Sequence, residues 1–201
     1  MCGIHGWRPE VLGVRVISGR YGGRKLHTPI GSQVRPTSDR VKEAVFNIII
    51  GRLENAIVMD MFAGTGNLGI EALSRGAQKV VFVEQSQNSL RTIRANLAAL
   101  EIAPQTYQLI AGDAFKVVAR LKGTPEGFDL IFVDPPYDKG FAEKALSALA
   151  EADLVKPDGL VIVETATRET APQSPYFELL RQSVYGDTTI CFFCKAAESG
   201  V

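Results

Sequence analysis

Two clusters in this chain have the residue types and the spacing to do chemistry. One is Asp134-Pro135-Pro136-Tyr137, which follows directly on the apolar run Leu130-Ile-Phe-Val133. An exocyclic base amine is a poor nucleophile because its lone pair is delocalised into the ring. Transfer to it needs acceptors for both N–H groups, and the Asp134 carboxylate and a backbone carbonyl can supply them. Proline fixes φ and offers no N–H, which leaves the Pro135 carbonyl projecting rather than drawn into helical pairing. An aromatic such as Tyr137 can stack on a base taken out of its helix. Asp and Pro are also common turn residues, so a plain strand-ending turn is the competing reading. The strand before the tetrapeptide favours the chemical one.

The other cluster is Asp60-Met-Phe-Ala-Gly-Thr-Gly-Asn-Leu-Gly69, at a predicted strand-to-helix junction. Gly64 and Gly66 allow a tight turn and a close approach to a ligand, and the helix that follows presents unpaired N–H groups. Glu84 ends the next predicted strand, where a carboxylate can hold both hydroxyls of a ribose. Together they mark an adenosine-containing ligand, and Phe62 lies in the same turn. The pattern Gly64-x-Gly66-x-x-Gly69 followed by Glu84 also fits the dinucleotide fingerprint of a dehydrogenase. Asp60 favours S-adenosylmethionine, because an acid there can meet the methionyl amine but would sit badly beside a pyrophosphate. Asp113 can accept the adenine amino protons with Phe115 against the ring, or it can cap a helix.

These residues need a frame, and from Ala56 onward short β-branched runs alternate with amphipathic, helix-length segments. That alternation predicts a parallel sheet covered by helices. Strands are expected at 57–61, 79–83, 105–110, 129–133 and 159–164, with helices at 68–74, 86–100, 114–121 and 141–150. A Tyr-Gly-Asp turn at 185–187, with no helix around it, predicts a closing antiparallel hairpin. The expected fold class is α/β, a Rossmann-like seven-stranded methyltransferase sheet. Ahead of it, 14–17 and 24–28 read as a small hairpin, and Ser38 or Asp39 opens a helix carrying Val41, Val45, Phe46 and Ile49. Residues 1–52 are expected to form a basic extension packed on a main domain of residues 53–201.

At 201 residues the chain fits one domain. The formal net charge of zero is unevenly spread: residues 1–52 carry nine Lys or Arg against three acids, and the rest carries the balancing negative charge. A basic arm favours a polyanion, although a solvated surface explains the charge equally well. Apolar runs are too short to span a bilayer, and residues 1–13 lack the basic and apolar regions of a secretory signal. With three cysteines there is no disulfide framework, so a reducing cytoplasm is expected. Cys191-x-x-Cys194 has no partner pair, and His5 and His27 lie in glycine-rich segments, so no metal site is expected.

With both clusters in view, the chain resembles the bacterial 16S ribosomal RNA guanine-N2 methyltransferases, the family named for guanine 966. The match covers nearly all of residues 14–195. It includes the arm Ile17-Ser-Gly-Arg-Tyr-Gly-Gly-Arg-Lys-Leu26, the segment Arg35-Pro-Thr-Ser-Asp-Arg-Val-Lys-Glu-Ala-Val-Phe-Asn47 and the glycine loop through Gly76. The Arg-Pro-Thr piece discriminates, since other DPPY enzymes do not usually carry it. The resemblance implies methyl transfer from S-adenosylmethionine to a guanine N2 amine in an assembled or partly assembled small ribosomal subunit, by a monomeric enzyme. It makes Asp134 and Pro135 the amine acceptors and Tyr137 the stacking partner. Asp60, Gly64, Gly66, Glu84 and Asp113 would hold the cofactor, with Thr37 and Arg35 near the cofactor or target opening. Arg20, Arg24 and Lys25 would contact phosphates. Residues 1–13 are extra to the family pattern. The alternatives that remain are an adenine-N6 DNA methyltransferase, a NAD-dependent dehydrogenase and a non-catalytic RNA-binding protein.

Overall fold

The structure, a computed structural model, describes residues 14–28, 38–124, 127–136 and 140–197. Strands β1 (Ile57–Asp60), β2 (Lys79–Glu84), β3 (Tyr107–Ala111), β4 (Phe128–Val133) and β5 (Val155–Ala166) are joined through helices. After the opening helix α1 (Asp39–Ile48), these are α2 (Asn67–Ser74), α3 (Gln87–Ala99), α4 (Ala114–Leu121) and α5 (Phe141–Glu151). The hairpin β6 (Phe177–Tyr185) and β7 (Thr188–Lys195) closes the chain. The sheet order is β3-β2-β1-β4-β5-β7-β6, with the first five strands parallel and β7 antiparallel to both neighbours.

This order bears out the expected seven-stranded sheet. A dinucleotide-binding fold runs 3-2-1-4-5-6, whereas here an antiparallel strand is inserted between β5 and β6. Two buried layers hold the sheet. One packs Phe46 of α1, Ile70 of α2 and Ile93 of α3 over Val58, Phe82, Phe132 and Ile162. The other packs Val117 of α4 and Leu146 of α5 over Met59, Ile131 and Val163. Because β1 sends its crossover to one face and β4 to the other, a crevice opens at their adjacent carboxyl ends.

Local chemistry accounts for most boundaries. Ser38 caps α1 by accepting the Val41 N–H, and Ser86 caps α3 by accepting from Ser89. Strand β5 runs well beyond the expected 159–164. Lys156, Pro157 and Asp158 lie ahead of the expected strand, and an irregularity in the pairing, from Phe128↔Val155 to Leu130↔Leu160, takes them in as a bulge. Strand β3 begins later than expected, because Pro104–Thr106 forms a 3-10 turn. The N-terminal ribbon is slight: it pairs through the bridge Arg15↔Lys25, with backbone bonds such as Val16 N–H to Arg24 O at 2.9 Å. Its Val14, Val16 and Leu26 are buried in the α1–α3 layer.

Candidate active site

The turn between β1 and α2 is wound by two glycines in the left-handed region, Gly64 at φ +53° and Gly66 at φ +79°. Glu84, at the end of β2, holds this turn: its carboxylate accepts the Gly64 N–H at 2.8 Å and the Ser86 N–H at 2.7 Å. Each carboxylate oxygen retains a further lone pair for a ligand hydroxyl. At Gly69 a Cβ would come within 2.2 Å of the Phe82 ring, so α2 lies directly against β2. Asp60 is 2% exposed and accepts the Gly69 N–H at 3.0 Å. Burial raises its carboxyl pKa to about 7, opposed by the Gly69 N–H and reinforced by the negative Glu84.

Beside this turn stands an aromatic wall. The Phe62 ring is 5.9 Å from Phe115 and 6.5 Å from Phe141, and Phe115 and Phe141 are 5.6 Å apart. The Lys144 ammonium lies 4.2 Å from the Phe115 centroid. Asp113 caps α4 by accepting the Lys116 N–H at 3.0 Å, which leaves its second oxygen available.

Asp134 and Pro135 follow β4, one strand over from β1, with Asp60 opposite Phe132. The structure therefore brings Asp60 and Asp134 to the same edge of the sheet. Asp134 is half-buried, Pro135 is buried and Pro136 is exposed. A cavity of about 340 Å³ adjoins the two prolines, walled by Phe141 on one side and by Glu164, Thr165, Arg168 and Glu169 on the other. That size lies within the roughly 300–1,000 Å³ usual for small-ligand pockets. Tyr137, Thr37 and Arg35 lie outside the described residues. Arg20, Arg24 and Lys25 are exposed, and Arg24 donates to the Ala99 carbonyl at the end of α3. Cys191 and Cys194 belong to opposite core layers, so they share no ligand position.

The family described as conserved hypothetical protein 95 matches residues 14–194. The chain belongs to this family. Ribosomal RNA small subunit methyltransferase D of Haemophilus influenzae is 35% identical over 86% of this chain and 89% of its own length. The Escherichia coli K12 protein of the same name is 32% identical over 92% of this chain and 91% of its own. A solved E. coli chain described as a methyltransferase matches with a TM-score of 0.81 and 32% identity, covering 92% of this chain and 99% of that one. The expected resemblance, fold and enzyme class hold: the chain is a methyltransferase with the Rossmann-like sheet of its relatives.

In this member of the conserved hypothetical protein 95 family, the site also rests on residues that the sequence patterns pass over. Asn96 of α3, 1% exposed, accepts the His27 N–H and donates to both the His27 and Thr65 carbonyls, tying the N-terminal ribbon to the glycine turn. Lys42 of α1 is fully buried and donates to the Arg15 carbonyl and to Asn67 Oδ1, the first residue of α2. Its ammonium lies 3.3 Å from Glu71, which also accepts the Ile17 and Ser18 N–H groups and pairs with Arg75. Burial lowers the Lys42 pKa, with Glu71 opposing. Lys42 therefore belongs to an internal clamp, although by composition it counts toward the basic arm. The only sequence signal for it is that Lys42 stands beside Val41 on the apolar face of α1.

Proposed function

We propose that this chain methylates the exocyclic N2 amine of a guanine in 16S ribosomal RNA, with S-adenosylmethionine as donor. The observation that carries the reading is the placement of Asp134 and Pro135 at the end of β4, directly beside the glycine turn that ends β1. The donor supplies a methyl group on a positively charged sulfur. Glu84 holds its ribose hydroxyls, the Phe62 and Phe115 wall with Asp113 holds its adenine, and Asp60 faces its amine. The Asp60 carboxylate suits a cationic amine better than a pyrophosphate, which supports the donor over a nicotinamide cofactor.

On the target side, the Asp134 carboxylate and the Pro135 carbonyl accept the two amine hydrogens and favour a pyramidal nitrogen. As that nitrogen is alkylated it becomes acidic, and its proton passes to Asp134 or to water. Positioning and fixed acceptors supply the catalysis. Tyr137 stacks on the flipped base, and Arg35 and Thr37 line the opening. Arg20, Arg24 and Lys25 contact phosphates, giving affinity without sequence information. Residues 1–52 serve as the RNA-facing extension and residues 53–201 as the methyltransferase domain. The substrate is an assembled or partly assembled small subunit, met in the cytoplasm by a monomer.

The test is Asp134→Ala. Methyl transfer to small-subunit RNA should fall by about a hundredfold or more while S-adenosylmethionine affinity is unchanged. Nucleoside mass spectrometry should show the loss as missing N2-methylguanine. Retained turnover with normal cofactor binding would remove Asp134 from the reaction.

A further inference from the structure

An amine acceptor pair such as Asp134 and Pro135 serves a guanine N2 or an adenine N6 equally, so something else must tell the two bases apart. Beside the amine, guanine presents N1–H, a donor, whereas adenine presents N1 as a lone pair. A second fixed acceptor next to Asp134 would favour guanine and repel adenine.

Glu164 occupies that position. Strands β4 and β5 are parallel and in register at Phe132↔Ile162 and Val133↔Val163. The next residues are Asp134, just past the end of β4, and Glu164 of β5, and paired strands lie about 4.8 Å apart. Phe132 and Ile162, two residues back, share one core layer, and Asp134 and Glu164 together line a small cleft beside Val45 and Leu68. Glu164 is 6% exposed and also walls the larger cavity next to Pro135. It is the residue common to both spaces. A nearly buried carboxylate at the rim of a base-sized cavity, one strand from the amine acceptor, matches the second donor of guanine's Watson–Crick edge.

We infer that Glu164 is the specificity-determining residue of the target site, accepting N1–H of guanine while Asp134 holds the N2 amine. This inference rests on the guanine-N2 reading. It assigns the choice of base to β5, outside the DPPY tetrapeptide, to a buried carboxylate that directly follows the apolar run Leu160-Val-Ile-Val163.

The experiment compares small subunits reconstituted with 16S RNA carrying either guanine or 2-aminopurine at the methylated position. Both bases have the 2-amine, but 2-aminopurine has a lone pair at N1. The wild-type chain should prefer guanine by about tenfold to a hundredfold in kcat/KM. In Glu164→Gln the side-chain amide can either accept or donate, so the preference should shrink to within a few-fold, with S-adenosylmethionine binding unchanged. Equal wild-type methylation of the two bases overturns the inference without any variant. So does a Glu164→Gln protein that is slower on both bases yet keeps the full preference, since that marks a structural residue. If the wild type methylates neither base, the guanine-N2 reading fails, and the role of Glu164 that rests on it falls too.

Discussion

At the ends of β1 and β2 the polar groups are engaged with one another, whereas at the ends of β4 and β5 they border an open cavity of about 340 Å³. On the first side, Glu84 grips Gly64 and Ser86, Asp60 grips Gly69, and Asn96 grips Thr65. On the second side, Glu164, Arg168 and Glu169 line that cavity, and Glu169 also accepts the Ala166 N–H. On the proposed function, the contrast follows from what each half must admit. A small donor that is the same at every turnover is best met by a site fixed in advance, since ordering it at the moment of binding would lower affinity. A base that swings out of a polymer needs room to arrive.

If this contrast is right, changes in the first half should move stability and cofactor affinity together, and changes in the second half should move turnover or base choice alone. The sharpest break is Glu71→Ala, which strips the Lys42 ammonium of its buried partner and the ribbon of two acceptors. Leaving a buried charge uncompensated costs about 3–5 kcal/mol. For a chain of this size, that lowers the melting temperature by roughly 6–20 °C. A melting curve within a degree or two of wild type would mean that the clamp does not hold this half together. Asp134→Ala, in the other half, should leave the same melting curve almost unmoved.

A gentler probe is pH. Asp60 keeps its proton up to pH about 7 in the folded chain, against an ordinary value of 3.8. Between those values the folded state binds the extra proton, so this group's contribution to stability falls as pH rises from about 4 to 7 and is constant above. In the proposed site the donor's amine meets the ionised form, so its affinity should rise as pH passes through 7. Calorimetry should detect proton release on binding below that pH. Asp60→Asn should abolish both trends, and a flat affinity profile in the wild type would separate Asp60 from the amine.

The smallest expected effect is at the exposed cations. Replacing Arg20 and Lys25 by Ala should weaken RNA binding and reduce the slope of log affinity against log salt by about 2, roughly 0.9 per contact. Melting temperature and donor affinity should not change. An unaltered salt slope would make these two side chains solvated surface.

Much of this site is legible before folding. The glycine turn, Glu84 and the DPP turn each sit at a strand end announced by an apolar run and a turn residue, and such signals act over a few residues. Ser38, Ser86 and Asp113 likewise announce helix starts through bonds to N–H groups three residues on. Where the reading slips, as at β5, pairing with β4 takes in Lys156, Pro157 and Asp158 ahead of the expected strand.

By itself, then, the amino-acid sequence determined the order of the elements and which residues stand at their ends, because hydrophobic period and capping are short-range. Only the tertiary structure decided that Lys42 is an internal ion rather than a basic surface residue. The same is true of Asn96, which binds a ribbon residue 69 positions away, and of Glu164, which stands level with Asp134. Those roles come from neighbours supplied by other strands and helices, and burial changes what a charged side chain does only once the neighbours are in place.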